Sequence, residues 1–374
     1  MSEFTSDSPS RHAVVTGSGD LPPVNERTGR VRFALTAFGC AFGLWLLGRL
    51  VLQADAATTW RAIGHAGPFV LIGLLPCAVG MSLDAYATVL LLRGLGCRAT
   101  LSQVFPVRVA SEALHLSVPG GVVAADTATA ALLEARCDVR LRDGVVASLA
   151  RRWLVMRAHA VYILFGAALG FPALAALSAQ LLGRAGLPWV VLASSVVPLL
   201  LSAAVAASLL GRSTFARIHA VLSRVPSRRL ARWLQSRRQE AAATDMQSAR
   251  LRSAHSATAP ATLAFLGCWC FEALESALLL HFVGADIGLP AVFAIEAGLS
   301  LVRSAAVIAP SGLGVVDLGY GAVLPALGAD LGVVPAFVLL KRAKELVWVL
   351  AGYAVLAALR GRATDATASA SAAT

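Results

Sequence analysis

Charge is scarce in this chain: Asp, Glu, Lys and Arg make up 14% of its 374 residues, against roughly a quarter in a soluble domain. Apolar residues make up 57%. One soluble core cannot hide that much apolar surface, so a bilayer must act as solvent. Acidic residues are the scarcer sign, 21 against 32 basic ones. The excess of arginine falls between apolar runs rather than on them, which orients a membrane chain and speaks against nucleic acid as a partner. Cysteine is also sparse. Cys40, Cys77, Cys268 and Cys270 lie inside apolar runs, and Cys97 and Cys137 sit beside arginines assigned to the reducing cytoplasm. The spacing of Cys268-Trp269-Cys270 does not suit a zinc site, so all six read as small apolar residues.

Other signals are missing altogether. No Ser-His-Asp order, Walker loop, dinucleotide fingerprint or metal-ligand spacing occurs, and Gly312-Leu313-Gly314 is too short for a nucleotide loop. The chain therefore reads as a non-enzyme without cofactor or metal. The first thirty residues are rich in Ser, Thr, Pro and Gly and lack the apolar core of a cleaved signal peptide. Residues 1–31 read as a disordered cytoplasmic N-terminus.

What is present is a series of apolar runs. Spans are predicted at residues 32–52, 67–92, 144–171, 187–210, 260–283 and 335–359. Between them lie two less hydrophobic, broken stretches. The first, residues 100–133, carries Arg108, Glu112, His115 and Asp126 around Pro119-Gly120-Gly121. The second, residues 289–324, carries Glu296, Arg303 and Asp317 around Pro310-Ser311-Gly312. Basic residues flank the first stretch on both sides and neither flank of the second. Each therefore reads as a re-entrant helical hairpin, one from each face of the membrane. If both spanned instead, the chain would cross eight or more times. Residues 211–259 hold ten arginines and read as a cytoplasmic loop, with an amphipathic surface helix or a solvated linker at residues 215–233. Residues 360–374 read as a disordered tail. Both termini are expected in the cytoplasm and the chain in an inner, cytoplasmic-type membrane.

An offset of 191 residues superimposes the two broken stretches without a gap. Pro119 falls on Pro310, Gly121 on Gly312 and Asp126 on Asp317; Asp84 falls on Glu275 and Arg151 on Arg342. The predicted fold is all-α and polytopic, with a repeat at residues 32–171 and a second at 187–359. Each has three spans and one hairpin, and the two are inserted in opposite orientations. Inverted repeats with Gly/Pro-broken segments at matching positions point to a substrate site between them near the midplane.

Several residues are candidates to carry chemistry. Asp126 and Asp317 each follow a Pro-x-Gly break by seven residues. An intramembrane carboxylate is a candidate proton carrier or head-group ligand, and the alternative is that each caps its returning helix. Arg151 and Arg342 suit bidentate phosphate binding, with snorkelling to the interface as the alternative, favoured for Arg151. Glu112 falls on Arg303 under the repeat, which predicts an ion pair between the hairpins. Asp84 and Glu275 are placed to accept from Arg151 and Arg342 or to move protons. His115, His159 and His281 read as hydrogen-bonded core residues.

The run Val118-Pro-Gly-Gly-Val-Val-Ala-Ala-Asp126, the run Ala150-Arg-Arg-Trp-Leu-Val-Met-Arg157, and Ala309-Pro-Ser-Gly-Leu-Gly-Val-Val-Asp317 with Leu340-Lys-Arg-Ala-Lys-Glu345 together resemble the lysylphosphatidylglycerol synthase transmembrane-region family. The resemblance runs from about Arg32 to Leu359. It implies a flippase-like protein that moves a lipid with an anionic or zwitterionic head group between leaflets. It does not imply aminoacyl transfer, because no stretch outside the spans is long enough for the soluble synthase domain. Membrane lipids are the implied partners. A membrane-embedded lipid-phosphate enzyme and an assembly partner of lipid-synthesising enzymes, docking through residues 211–259, are the rival readings. A homo-oligomer is compatible with all three.

Overall fold

The computed structural model describes residues 56–118, 121–210, 254–305 and 310–372, with single positions between 44 and 52 and between 246 and 251. The expected span at residues 32–52 and the basic loop at 211–259 lie almost entirely outside the described residues, and Pro119 lies outside them too.

Among the described residues every regular element is helical. Helix α1 (Ala56–Ala66), a 3-10 segment (Gly67–Gly73) and α2 (Leu74–Gly94) join into one apolar run of 39 residues, Ala56–Gly94. The sequence places the start of this span only at residue 67. Pro68 does not stop the chain there, because it occupies the first turn of its segment, where the missing N–H has no partner to lose. Helix α3 (Leu101–Ser117) starts behind Thr100, whose N–H is accepted by the Gln103 side chain at 3.1 Å. Helix α4 (Gly121–Cys137) packs back along α3. A Cβ at Gly121 would run into the carbonyl oxygens of Leu114 and His115, so only glycine lets α4 begin against the last turn of α3.

Helix α5 (Leu141–Leu169) ends at Gly170 and bends by 77° into α6 (Phe171–Leu182). The turn is followed by α7 (Leu187–Ser194) and α8 (Val196–Leu210). The second part of the chain holds α9 (His255–Phe282), α10 (Leu289–Ala305), a short turn at Pro310–Gly312, α11 (Val315–Ala326) and α12 (Val333–Ala372). Gly312, at φ +67°, carries the chain from α10 toward α11 close against Arg303. Helix α12 continues past Arg360, where the sequence predicts the end of the span and a disordered tail. The alanines there are strong helix formers, and no proline intervenes.

Ala56–Gly94, Leu187–Ala207 and His255–Phe282 are each long and apolar enough to cross a bilayer, and the bent pair α5–α6 adds a fourth candidate. Large apolar side chains stand exposed along them, among them Leu71, Leu75, Trp189 and Leu200. In water such a surface would aggregate; against acyl chains it is at home. The protein is an integral membrane protein.

Helix packing follows a reciprocal scheme. Helix α2 lies along α9, α3 lies on α12, and α5 lies on α10. Small residues permit the close approaches, since helices in lipid associate through close packing. Gly352 of α12 abuts Ala113 and the Val109 carbonyl of α3, and Gly166 and Gly170 of α5 abut Phe293 and the Pro290 carbonyl of α10.

Candidate functional site

Ionisable side chains inside these helices converge on two clusters flanking one cavity. In the first, Asp84 sits mid-way along α2 and receives two arginines from different helices. Arg108 of α3 donates its Nε at 2.7 Å, and Arg151 of α5 donates through both Nε, at 3.1 Å, and Nη2. Arg108 also bonds Thr129 of α4 at 3.0 Å and lies 3.8 Å from Glu112. One residue beyond Arg151, Arg152 turns to Asp126 on α4 with contacts of 3.0–3.3 Å. A buried charge is tolerable only when paired and hydrogen-bonded, as Asp84, Arg108, Arg151, Arg152 and Asp126 are.

The second cluster is built on α12. Lys341, Lys344, Glu345 and Trp348 recur at helical spacing and so point toward one side. Lys344 pairs with Glu275 of α9 at 2.8 Å. Arg342 holds Asp317 at 2.8–3.2 Å and Glu345 at 2.6 Å. Asp317 also accepts the N–H of Gly314 at 2.8 Å, which satisfies a donor at the start of α11. Lys341, 5% exposed, donates to three oxygens: Ser276 at 2.6 Å, Glu296 at 2.7 Å and Tyr320 at 2.8 Å. Arg303 of α10 bonds Glu272 of α9, and its Nη2 lies 3.9 Å from Glu296.

Between the clusters is a cavity of about 910 Å³. Five bases line it, Arg108, Arg151, Arg152, Arg303 and Lys344, together with five acids, Asp84, Glu112, Glu272, Glu275 and Glu345. One wall is apolar: Val197, Pro198 and Leu201 of α8. Val197 and Leu201 on that wall are 56% and 50% exposed.

This placement sorts the sequence candidates. Asp84, Glu112, Arg151, Glu275 and Arg303 line the cavity, as do Gly121 and Gly312 at the two chain reversals, the latter within the Pro310–Gly312 turn. Asp126, Asp317 and Arg342 do not line it; each acts one residue back, Asp126 on Arg152, and Asp317 on Arg342, which in turn holds Glu345. The expected Glu112–Arg303 pair does not form. Arg303 turns to the nearer carboxylates Glu272 and Glu296, and the nearest cation to Glu112 is Arg108 on its own helix. The expected link between Glu275 and Arg342 is likewise replaced, by Lys344 on Glu275. Asp84 and Arg151 do meet. His159 bonds Ser300 at 2.7 Å and stacks on Trp269. His115 differs from its expected role: it lines the cavity, and its Nδ1 has no hydrogen-bond partner.

Arg108, Arg152, Glu272, Lys341, Lys344 and Tyr320 were not among the candidates read from the sequence. The spacing Lys341, Lys344, Glu345, Trp348 was a legible signal, because four polar or amphipathic residues on one stripe of an apolar helix require partners on that side.

The model of the lysylphosphatidylglycerol synthase transmembrane region matches residues 36–352. The chain belongs to this family. The match covers every residue that lines the cavity, so the site lies within the family region. A search of curated proteins finds no match.

Proposed function

We propose that the protein moves a lipid with an anionic or zwitterionic, phosphate-bearing head group between the leaflets of an inner, cytoplasmic-type membrane. The observation that carries this reading is the composition of the cavity wall. Five cationic side chains line the cavity, and its α8 side is apolar and well exposed. A head group entering sideways would meet arginines while its acyl chains stayed against Val197 and Leu201, as an amphiphile requires. Every cation already has a carboxylate partner, so a phosphate binds by exchange rather than by filling an empty site. Such binding is reversible, and transport depends on release as much as on capture. The same pairing argues for a transporter over an enzyme: the carboxylates are engaged as counter-ions rather than poised as free bases.

In this reading the two halves are inverted repeats. The reciprocal packing of α3 on α12 and α5 on α10 supports it, because exchanging helices by the 191-residue offset turns one contact into the other. The pairs α3–α4 and α10–α11 would be the two re-entrant hairpins: a helix of 17 residues is about 25 Å long, short of the roughly 30 Å hydrocarbon core. Both termini would then be cytoplasmic. Asp126 orients Arg152, which lines the cavity, and Asp317 orients Arg342, which holds the cavity residue Glu345.

The test is lipid movement in proteoliposomes. Labelled phospholipids and a polyprenyl phosphate would be followed for wild type, Arg303→Gln and the Asp126→Asn/Asp317→Asn double variant. Protein-dependent movement of a phosphate lipid that both variants lose is the expected result. No movement of any lipid, with or without a proton gradient, would sink the reading.

A further inference from the structure

Arg303 is a cavity cation set between two carboxylates of unlike standing. On its far side is Glu296, 3% exposed and held by a closed network: its Oε1 accepts from Lys341 at 2.7 Å and from Tyr320 at 2.6 Å, and Ser276 bonds the same oxygen. On its cavity side is Glu272, whose hydrogen bonds and ion pairs are confined to Arg303. Only Glu272 lines the cavity; Glu296, Lys341 and Tyr320 do not.

The network is not something the architecture demands. At the 191-residue offset the positions of Glu296, Tyr320, Ser276 and Lys341 are taken by Phe105, Thr129, Ala85 and Ala150, and Glu272 by Met81. The first half of the chain builds corresponding helices without these charges. Buried ion pairs are rarely more stable than apolar packing of the same volume, so their presence in one half alone points to use rather than scaffolding.

We infer that Glu272 is a proton-exchange site: a lipid phosphate takes Arg303 from it, and the released carboxylate leaves the pair by binding one proton from the cavity. This rests on the transport reading above and adds the coupled ion. For an anionic head group the charge count calls for it. Glu272 and Glu296 against Arg303 and Lys341 are two negative and two positive groups, neutral together. A phosphodiester brings one more negative charge into a region of low dielectric, where an uncompensated charge is expensive. Glu296 keeps Lys341, so the proton goes to Glu272. One O–H bond forms on Glu272 as one O–H bond of a hydronium ion entering the cavity breaks and leaves water; no other covalent bond changes, and the phosphate and Arg303 make the new ion pair. The remaining groups around Glu272 are Cys77 on α2, His159 and Tyr162 on α5, Glu275 on its own helix, Tyr320 beyond Arg303, and Lys344 on α12. Lys344 is held by Glu275, which leaves Glu272 as the carboxylate whose partner the phosphate removes.

Proton uptake on binding has a definite sign. Where Glu272 is ionised in the free protein and protonated in the complex, affinity falls as pH rises, by about tenfold per unit for one proton. The experiment is calorimetric titration of dihexanoyl-phosphatidylglycerol into the purified full-length protein, in two buffers of different protonation enthalpy. Wild type should take up about one proton per lipid. Glu272→Gln should bind with no uptake and a flat pH dependence. Glu272→Met, which copies the residue at the matching position of the first half, gives a second variant should the first fail to elute as a single species. Binding by wild type without proton uptake, or equal uptake by the Glu272 variants, would overturn the inference and leave the transport reading standing. No binding of the phosphodiester would overturn both.

Discussion

Arg108 and Asp84 meet at 2.7 Å across α3 and α2, and the arginine is only 2% exposed. Asp84 also holds Arg151 from α5, so one carboxylate ties three helices together around the cavity. Asp84→Ala leaves two buried guanidinium groups without their shared counter-ion. The expected loss is about 3–5 kcal/mol, the range for breaking a buried pair. Heating the variant in detergent and following the monodisperse fraction by gel filtration checks this; a melting curve equal to wild type would refute it.

Asp317 and Asp126 occupy matching positions but not matching surroundings. Asp317 is 2% exposed and accepts both Arg342 and the Gly314 N–H, whereas Asp126 is half-buried and serves Arg152 alone. Asp317→Asn should therefore reduce the yield of folded protein more than Asp126→Asn. Side-by-side purification of the two single variants reads the difference directly.

A charge swap separates the two descriptions of Arg303. If Arg303 faced Glu112, the Glu112→Arg/Arg303→Glu double variant would restore what each single change damages. Because Arg303 is held by Glu272 and Glu296, the swap should fail to rescue, and Arg303→Glu should be the worse single change. Transport or thermal stability across the four-member cycle decides it.

Gly121 tests the α3–α4 reversal. A methyl group there meets the carbonyl oxygens of Leu114 and His115, backbone atoms that cannot swing aside. Gly121→Ala is expected to cost about 1–3 kcal/mol as an overpacking change. Gly183, at a positive φ with open space around its Cβ, is the comparison; its alanine variant carries backbone strain but no collision. Melting temperatures of the two in one detergent make the measurement.

Local signals made much of the fold legible. The apolar runs determined the membrane class, and the Pro/Gly breaks at Pro119–Gly121 and Pro310–Gly312 marked the reversals near which α4 and α11 begin. The 191-residue offset placed Asp84 opposite Glu275 and Arg151 opposite Arg342; the first three line the cavity, and Arg342 stands behind it on Glu345. These features depend on composition, on residues close in the chain and on an internal repeat, all of which can be read along the sequence. The continuous run from Ala56 and the bend at Gly170 were not legible, because proline in a first turn does not break a helix and the close contact with α10 at Gly170 is tertiary.

Apart from Asp84–Arg151, which the sequence offered as a pair, the identity of the ion pairs belonged to the tertiary structure. Arg108 reaches Asp84 from another helix, and Lys341 reaches Glu296 and Ser276 on two other helices. Which carboxylate an arginine chooses depends on helix rotation and on differences of a few ångströms, since Coulomb attraction in a low dielectric rewards the nearest partner steeply. Sequence established that the charges had to be buried in a membrane and therefore paired; packing decided that Arg303 goes to Glu272 and not to Glu112.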